Sequence, residues 1–84
     1  MVKTVLKIDG MMCSMCEAHI NDVVRRVLPE AQKVSSSHKK GECTFISEET
    51  PDKNKLEAAI AETGYEMKGM TTEPYQKKLF GIFG

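Results

Sequence analysis

A chain of 84 residues makes one small domain, one that buries about 60% of the surface its unfolded form exposes and has no room for a cleft-forming second domain. Twelve basic and twelve acidic side chains give zero formal net charge, which excludes a general electrostatic attraction to nucleic acid or to an anionic membrane. Three cysteines, an odd number, do not close a disulfide framework, and no leader peptide or membrane span is expected, so a reducing cytoplasm is the expected setting.

Thr4, Leu6 and Ile8 alternate with Val5, Lys7 and Asp9, the period of two that marks a half-buried strand over residues 2–9. The run Gly10-Met11-Met12-Cys13-Ser14-Met15-Cys16 follows. Ile20, Val23, Val24, Val27 and Leu28 then recur at helical spacing and Pro29 stops them, predicting a helix over 14–28. Cys16 stands one turn before Ile20, at the top of the apolar stripe. Cys13 lies in the preceding loop and is expected to be the more exposed sulfur.

Residues three apart at a helix start face the same side, so Cys13 and Cys16 can share one ion. With sulfur bonds near ~2.3 Å, near-linear coordination asks for two sulfurs roughly twice that far apart. Thiolate ligands select Cu(I) and Zn(II) among first-row metals, and the same softness admits Ag(I), Cd(II) and Hg(II). The positive helix N-terminus favours the thiolate form that binds.

Residues 31–37 are less regular, but His38-Lys39-Lys40-Gly41 reads as a tight turn into Glu42-Cys43-Thr44-Phe45-Ile46-Ser47, predicting a hairpin. Cys43 shares a face with Phe45 and reads as a structural thiol. His38, in the turn, is expected to be solvated. Thr50 as N-cap and Pro51 at the first helical position predict a second helix over 51–63, with Leu56, Ala59, Ile60 and Thr63 at helical spacing. Gly64 is its stop, and 65–71 reads as a last short strand. The order β-α-β-β-α-β is the split βαβ, ferredoxin-like arrangement, an α+β sandwich with two helices on one face of a four-stranded antiparallel sheet.

On the Gly10 to Cys16 run, supported by Gly64-Tyr65, the chain resembles the heavy-metal-associated domain family, particularly small bacterial copper chaperones and the amino-terminal domains of copper-transporting P-type ATPases. The resemblance covers residues 2 to about 71, which sets a domain over 1–71 and an extension over 72–84. It implies that Cys13 and Cys16 bind Cu(I), that Met11 packs inward as a tether for the loop, and that Tyr65 shields or tunes the site. It further implies transfer of the ion by thiolate exchange to an acceptor such as a P-type ATPase, and a pair of chains bridged by metal is a further arrangement. Family members often carry threonine or serine at Met12. With Met15 between the cysteines, the loop is rich in sulfur; either methionine is a packing or exposed side chain, or it contacts metal or a partner. His19, three residues beyond Cys16, is either a surface histidine or a third donor.

The stretch after the family core joins Lys77 and Lys78 to apolar Leu79, Phe80, Ile82 and Phe83. It is too short to cross a bilayer. These side chains are expected to cover an open sheet face or pack between chains; the alternative is docking to a membrane surface or a transporter.

The chain is expected to be a carrier and not an enzyme. One alternative is a thiol-disulfide oxidoreductase of the thioredoxin type, whose folds place a further βα element after the first helix and usually a proline between the cysteines, where this chain has Ser14-Met15. The other is a structural zinc site built from Cys13, Cys16, His38 and Cys43, which has only one short-spaced pair where closed zinc sites have two.

Overall fold

The alternation of the first strand becomes burial: Thr4, Leu6 and Ile8 are buried while Lys7 and Asp9 stay exposed. The computed structural model describes residues 1–75. In chain order the elements are β1 (Val2–Asp9), α1 (Ser14–Val27), β2 (Gln32–Ser37), β3 (Glu42–Ser47), α2 (Lys53–Glu62) and β4 (Glu66–Pro74). The strands form one antiparallel sheet in the order β2-β3-β1-β4. Both helices lie on one face, and the β-α-β-β-α-β sandwich expected from the sequence is the one observed. Among the described residues no helix is long and apolar enough to cross a membrane.

The core fills the space between sheet and helices with Leu6, Ile8, Phe45 and Met67 from the strands, Ile20, Val23 and Val24 from α1, and Leu56 and Ile60 from α2. Cys43 belongs to it, fully buried beside Phe45. The helix stripe read from the sequence is the stripe that packs. Lys7 and Glu42, opposite each other on β1 and β3, form an ion pair on the outer face.

Two irregularities decide what faces where. Register between β1 and β4 slips between Lys7, which opposes Gly69, and Ile8, which opposes Met67, leaving Lys68 as the extra residue. A one-residue insertion reverses the side-chain parity of a strand, so Met70 and Met67, three apart, both pack toward the core. Continuing the parity back from Met67 brings Tyr65 to the same side. On β2, Lys33 has φ of 53° and the pairing with β3 shifts between Gln32 and Ser35.

Three expectations are corrected. Helix α2 begins at Lys53, with Asp52 and not Thr50 as its N-cap: the Asp52 carboxylate accepts from the backbone N–H of Asn54 at 2.9 Å and of Lys55 at 3.3 Å. Pro51 is buried ahead of the helix instead of opening it. The last strand runs over Glu66–Pro74, past the expected end at 71, because β1 offers it partners as far as Val2. His38 is half-buried and bonded to Glu17, not solvated. The expectations for Lys77, Lys78, Leu79, Phe80, Ile82 and Phe83 lie outside the described residues.

Candidate metal centre

The chain leaves β1 through Gly10, whose φ of +98° lies in the region that side chains disfavour. Space is not the reason for glycine there, since a β-carbon would meet Tyr65 Cδ1 at an ordinary 3.5 Å. Met11 then turns inward and is 5% exposed, pinning the loop to the core. Met12 and Met15 point out, 79% and 67% exposed, so the loop presents two thioethers beside its thiols.

Cys13 is the N-cap of α1 in extended backbone, and its carbonyl accepts from Glu17 N–H at 3.1 Å. Its side chain makes no capping bond. The sulfur is therefore spare, and it is exposed, while Cys16 in the first turn is half-buried. Their Sγ atoms stand 3.7 Å apart. That is closer than a linear site needs. With bonds near 2.3 Å, two sulfurs at this spacing enclose an angle of about 107° at a shared ion, which suits three- or four-coordination.

The Cys16 thiol is lowered to about 7, chiefly by the Tyr65 hydroxyl donating toward its sulfur, then by the Met12 backbone and the Cys13 thiol, against an opposing effect of burial. Tyr65 is pushed up by the same contact, since a phenolate would face a thiolate. Near pH 7 about half the molecules thus carry a Cys16 thiolate. Burial alone raises the thiol of Cys43, the opposite condition to that of a ligand.

His19 is exposed, and its Nδ1 lies 3.4 Å from Tyr65 Oη. The structure brings Cys13, Cys16, Tyr65 and His19 to one end of the sheet, with Met11 beneath and Met12 and Met15 outside. It does not bring Cys43 or His38 to them. Among the described residues no three His, Cys, Asp or Glu side chains gather as a metal cage, so the zinc alternative on Cys13, Cys16, His38 and Cys43 is not assembled. The consecutive antiparallel strands β2 and β3 are likewise not the βα continuation that the thioredoxin alternative requires.

One feature of this region has no signal in the sequence. Glu17, next to Cys16, accepts with Oε2 from His38 Nδ1 at 2.6 Å and from the His38 backbone N–H at 2.8 Å. The two residues are 21 apart, and only the packing of α1 over the hairpin joins them. Ser36 donates to Asn21 Oδ1 at 2.6 Å, a second polar link one helical turn further on.

Over 60 residues the chain is 37% identical to a mercuric reductase of Shigella flexneri, a match covering 71% of this chain but 10% of that protein. The copper chaperone Atx1 from Synechocystis PCC6803 superposes with a TM-score of 0.64 at 23% identity, covering 76% of this chain and 97% of that one. The N-terminal domain of ZntA in its Zn(II) form superposes with a TM-score of 0.66 at 18% identity, covering 90% and 97%. These structural likenesses establish the fold. The match of the family itself runs over residues 5–66, from within β1 to the start of β4, and takes in the whole cysteine loop and Tyr65: the chain belongs to the heavy-metal-associated domain family.

Proposed function

We propose that this chain carries a soft heavy-metal ion on Cys13 and Cys16 and passes it on by thiolate exchange, with Cu(I) as the cargo and a P-type ATPase or similar metal-binding domain as the acceptor. The observation that carries the reading is the pair of sulfurs 3.7 Å apart at the exposed start of α1, beside a core against whose edge Cys16 packs. Soft thiolates favour Cu(I) over hard cations. Relatives of similar fold are named for copper and for zinc, and one of similar sequence for mercury, so the choice of copper rests on the loop's resemblance to copper chaperones.

The exchange needs no base and no redox partner. Cys16, half thiolate near pH 7, takes the ion first; Cys13 then closes the pair, any proton on its sulfur passing to solvent. An acceptor thiolate attacks the held ion, and the wide angle available at a pair this close leaves a side open for it. The bond to one sulfur breaks as the bond to the acceptor forms, then the second follows. Charge on the cation is unchanged throughout. The exposed thioethers of Met12 and Met15 supply an adaptable apolar rim for the encounter.

Competition for Cu(I) against a chromophoric chelator, under anaerobic reducing conditions, tests the reading. Wild type should take the ion in a one-to-one ratio, and the Cys13→Ser/Cys16→Ser pair should leave it on the chelator. Equal affinity in the two proteins rejects the claw.

A further inference from the structure

The outer face of the sheet, opposite the helices, holds an apolar residue that the core does not account for. Phe45 packs toward the helices, so its strand neighbours Thr44 and Ile46 face the other way. Ile46 is nevertheless 6% exposed, and it stands outside the core cluster. It opposes Lys3 on β1, which in turn opposes Glu73 on β4. Tyr75, two residues beyond Glu73, shares that face, and its backbone N–H donates to the Met1 carbonyl at 2.9 Å. The Tyr75 hydroxyl accepts from Lys33 Nζ at 3.4 Å, and the same Nζ lies 5.9 Å from the ring centroid. Lys33 belongs to β2 and Tyr75 follows β4, the two edges of the sheet, so this pair reaches over β1 and β3. Lys3, Lys33, Thr44, Ile46 and Tyr75 line a half-open trough of about 230 Å³ there.

We propose that the segment following Tyr75 turns back over this outer face and seats Leu79 and Phe80 in the trough, closing the second side of the sheet with the chain's own residues. Both positions lie outside the described residues. Direction, reach and charge support the assignment. Tyr75 already lies on the face and is tied to its far edge. With strands about 4.8 Å apart, crossing from β4 to β2 takes about 14 Å, and the five residues from Tyr75 to Phe80 span up to about 17 Å. Lys77 and Lys78 meet like charge in Lys3 and Lys33, which keeps their ammonium groups in water on long stems. The apolar side chains next in the chain are then the ones left to enter.

Lys3 stands near the end of β1 remote from the Gly10 loop, so the trough is distant from Cys13 and Cys16. The proposal is therefore independent of metal binding, and it is tested on the metal-free protein.

Nuclear Overhauser contacts of the full chain, with isoleucine methyls labelled with ¹³C, decide it. The Ile46 methyl should show a contact to the Phe80 ring. Phe80→Ala, a change outside the packed core, should abolish that contact and move the Ile46 methyl resonance while leaving Ile20 and Ile60 in place. In an equal mixture of labelled and unlabelled chains the contact should stay within one chain. Absence of the contact, or an Ile46 resonance indifferent to Phe80→Ala, would overturn the proposal. A contact seen only between chains would overturn it in favour of a second copy. Phe80 signals that show no contact to Ile46 and broaden on anionic phospholipid vesicles would overturn it in favour of a membrane surface.

Discussion

Glu17 Oε2 accepts two hydrogen bonds from one residue, His38, through the ring and through the backbone. The bonds run from the β2–β3 turn to the first turn of α1, beside Cys16. They hold the Glu17 carboxyl below its ordinary value of 4.5, the backbone bond contributing most and the ring next. A depressed carboxyl contributes stability that is present above its unfolded value and lost as pH falls through the folded one. Glu17→Gln should therefore lower the melting temperature near pH 7 and flatten the acid limb below about pH 4.5, as followed by circular dichroism. An unchanged acid limb would show that the pair does not report on folding.

Cys16 should be the thiol that alkylates first, with a rate that rises through a midpoint near pH 7. The sign follows from its lowered value: thiolate is present above it and lost below. In Tyr65→Phe the midpoint should climb toward the ordinary 9.0, because the largest lowering influence is gone. Iodoacetamide kinetics read by mass spectrometry, with Cys43 as the buried slow reference, give both numbers.

Stripping the ion should leave the fold standing. The buried side chains of β1, β3, α1 and α2 pack against one another directly, so the metal-free chain should keep a cooperative thermal transition. Cargo that binds only the folded form should add about 2.7 kcal/mol at a free concentration one hundred times its Kd. Collapse of the transition on chelation would favour a structural site instead.

At the start of α2 two neighbouring positions should behave differently. Asp52→Ala should cost about 1 kcal/mol in urea unfolding, the usual worth of an N-cap, since its carboxylate satisfies two backbone donors. Thr50→Ala should cost less, as that residue is exposed and outside the cap.

This last pair also marks what was legible in the sequence. Thr50-Pro51-Asp52 holds two acceptable caps two residues apart, and propensity does not choose between them; the backbone N–H groups of Asn54 and Lys55 reach Asp52. The stripe from Ile20 to Val27 and the alternation of Thr4, Leu6 and Ile8 were readable because each element buries one face and keeps its period. β2 was harder, for Lys33 with its positive φ breaks the alternation inside the strand. The cysteine pair was visible because its geometry is local. The contact of Tyr65 with His19, and the bond between Glu17 and His38, were not, since the bulge at Lys68 and the packing of α1 against the hairpin create them from residues far apart in the chain.

Cys13 begins the helix with its carbonyl and leaves its sulfur out of the work. In serine, threonine or aspartate caps the side chain is the brace, and anything that captured it would loosen the first turn. Here brace and hand are separate parts of one residue. On the proposed reading, cargo held by that sulfur would arrive and depart through many cycles without the helix winding or fraying in step.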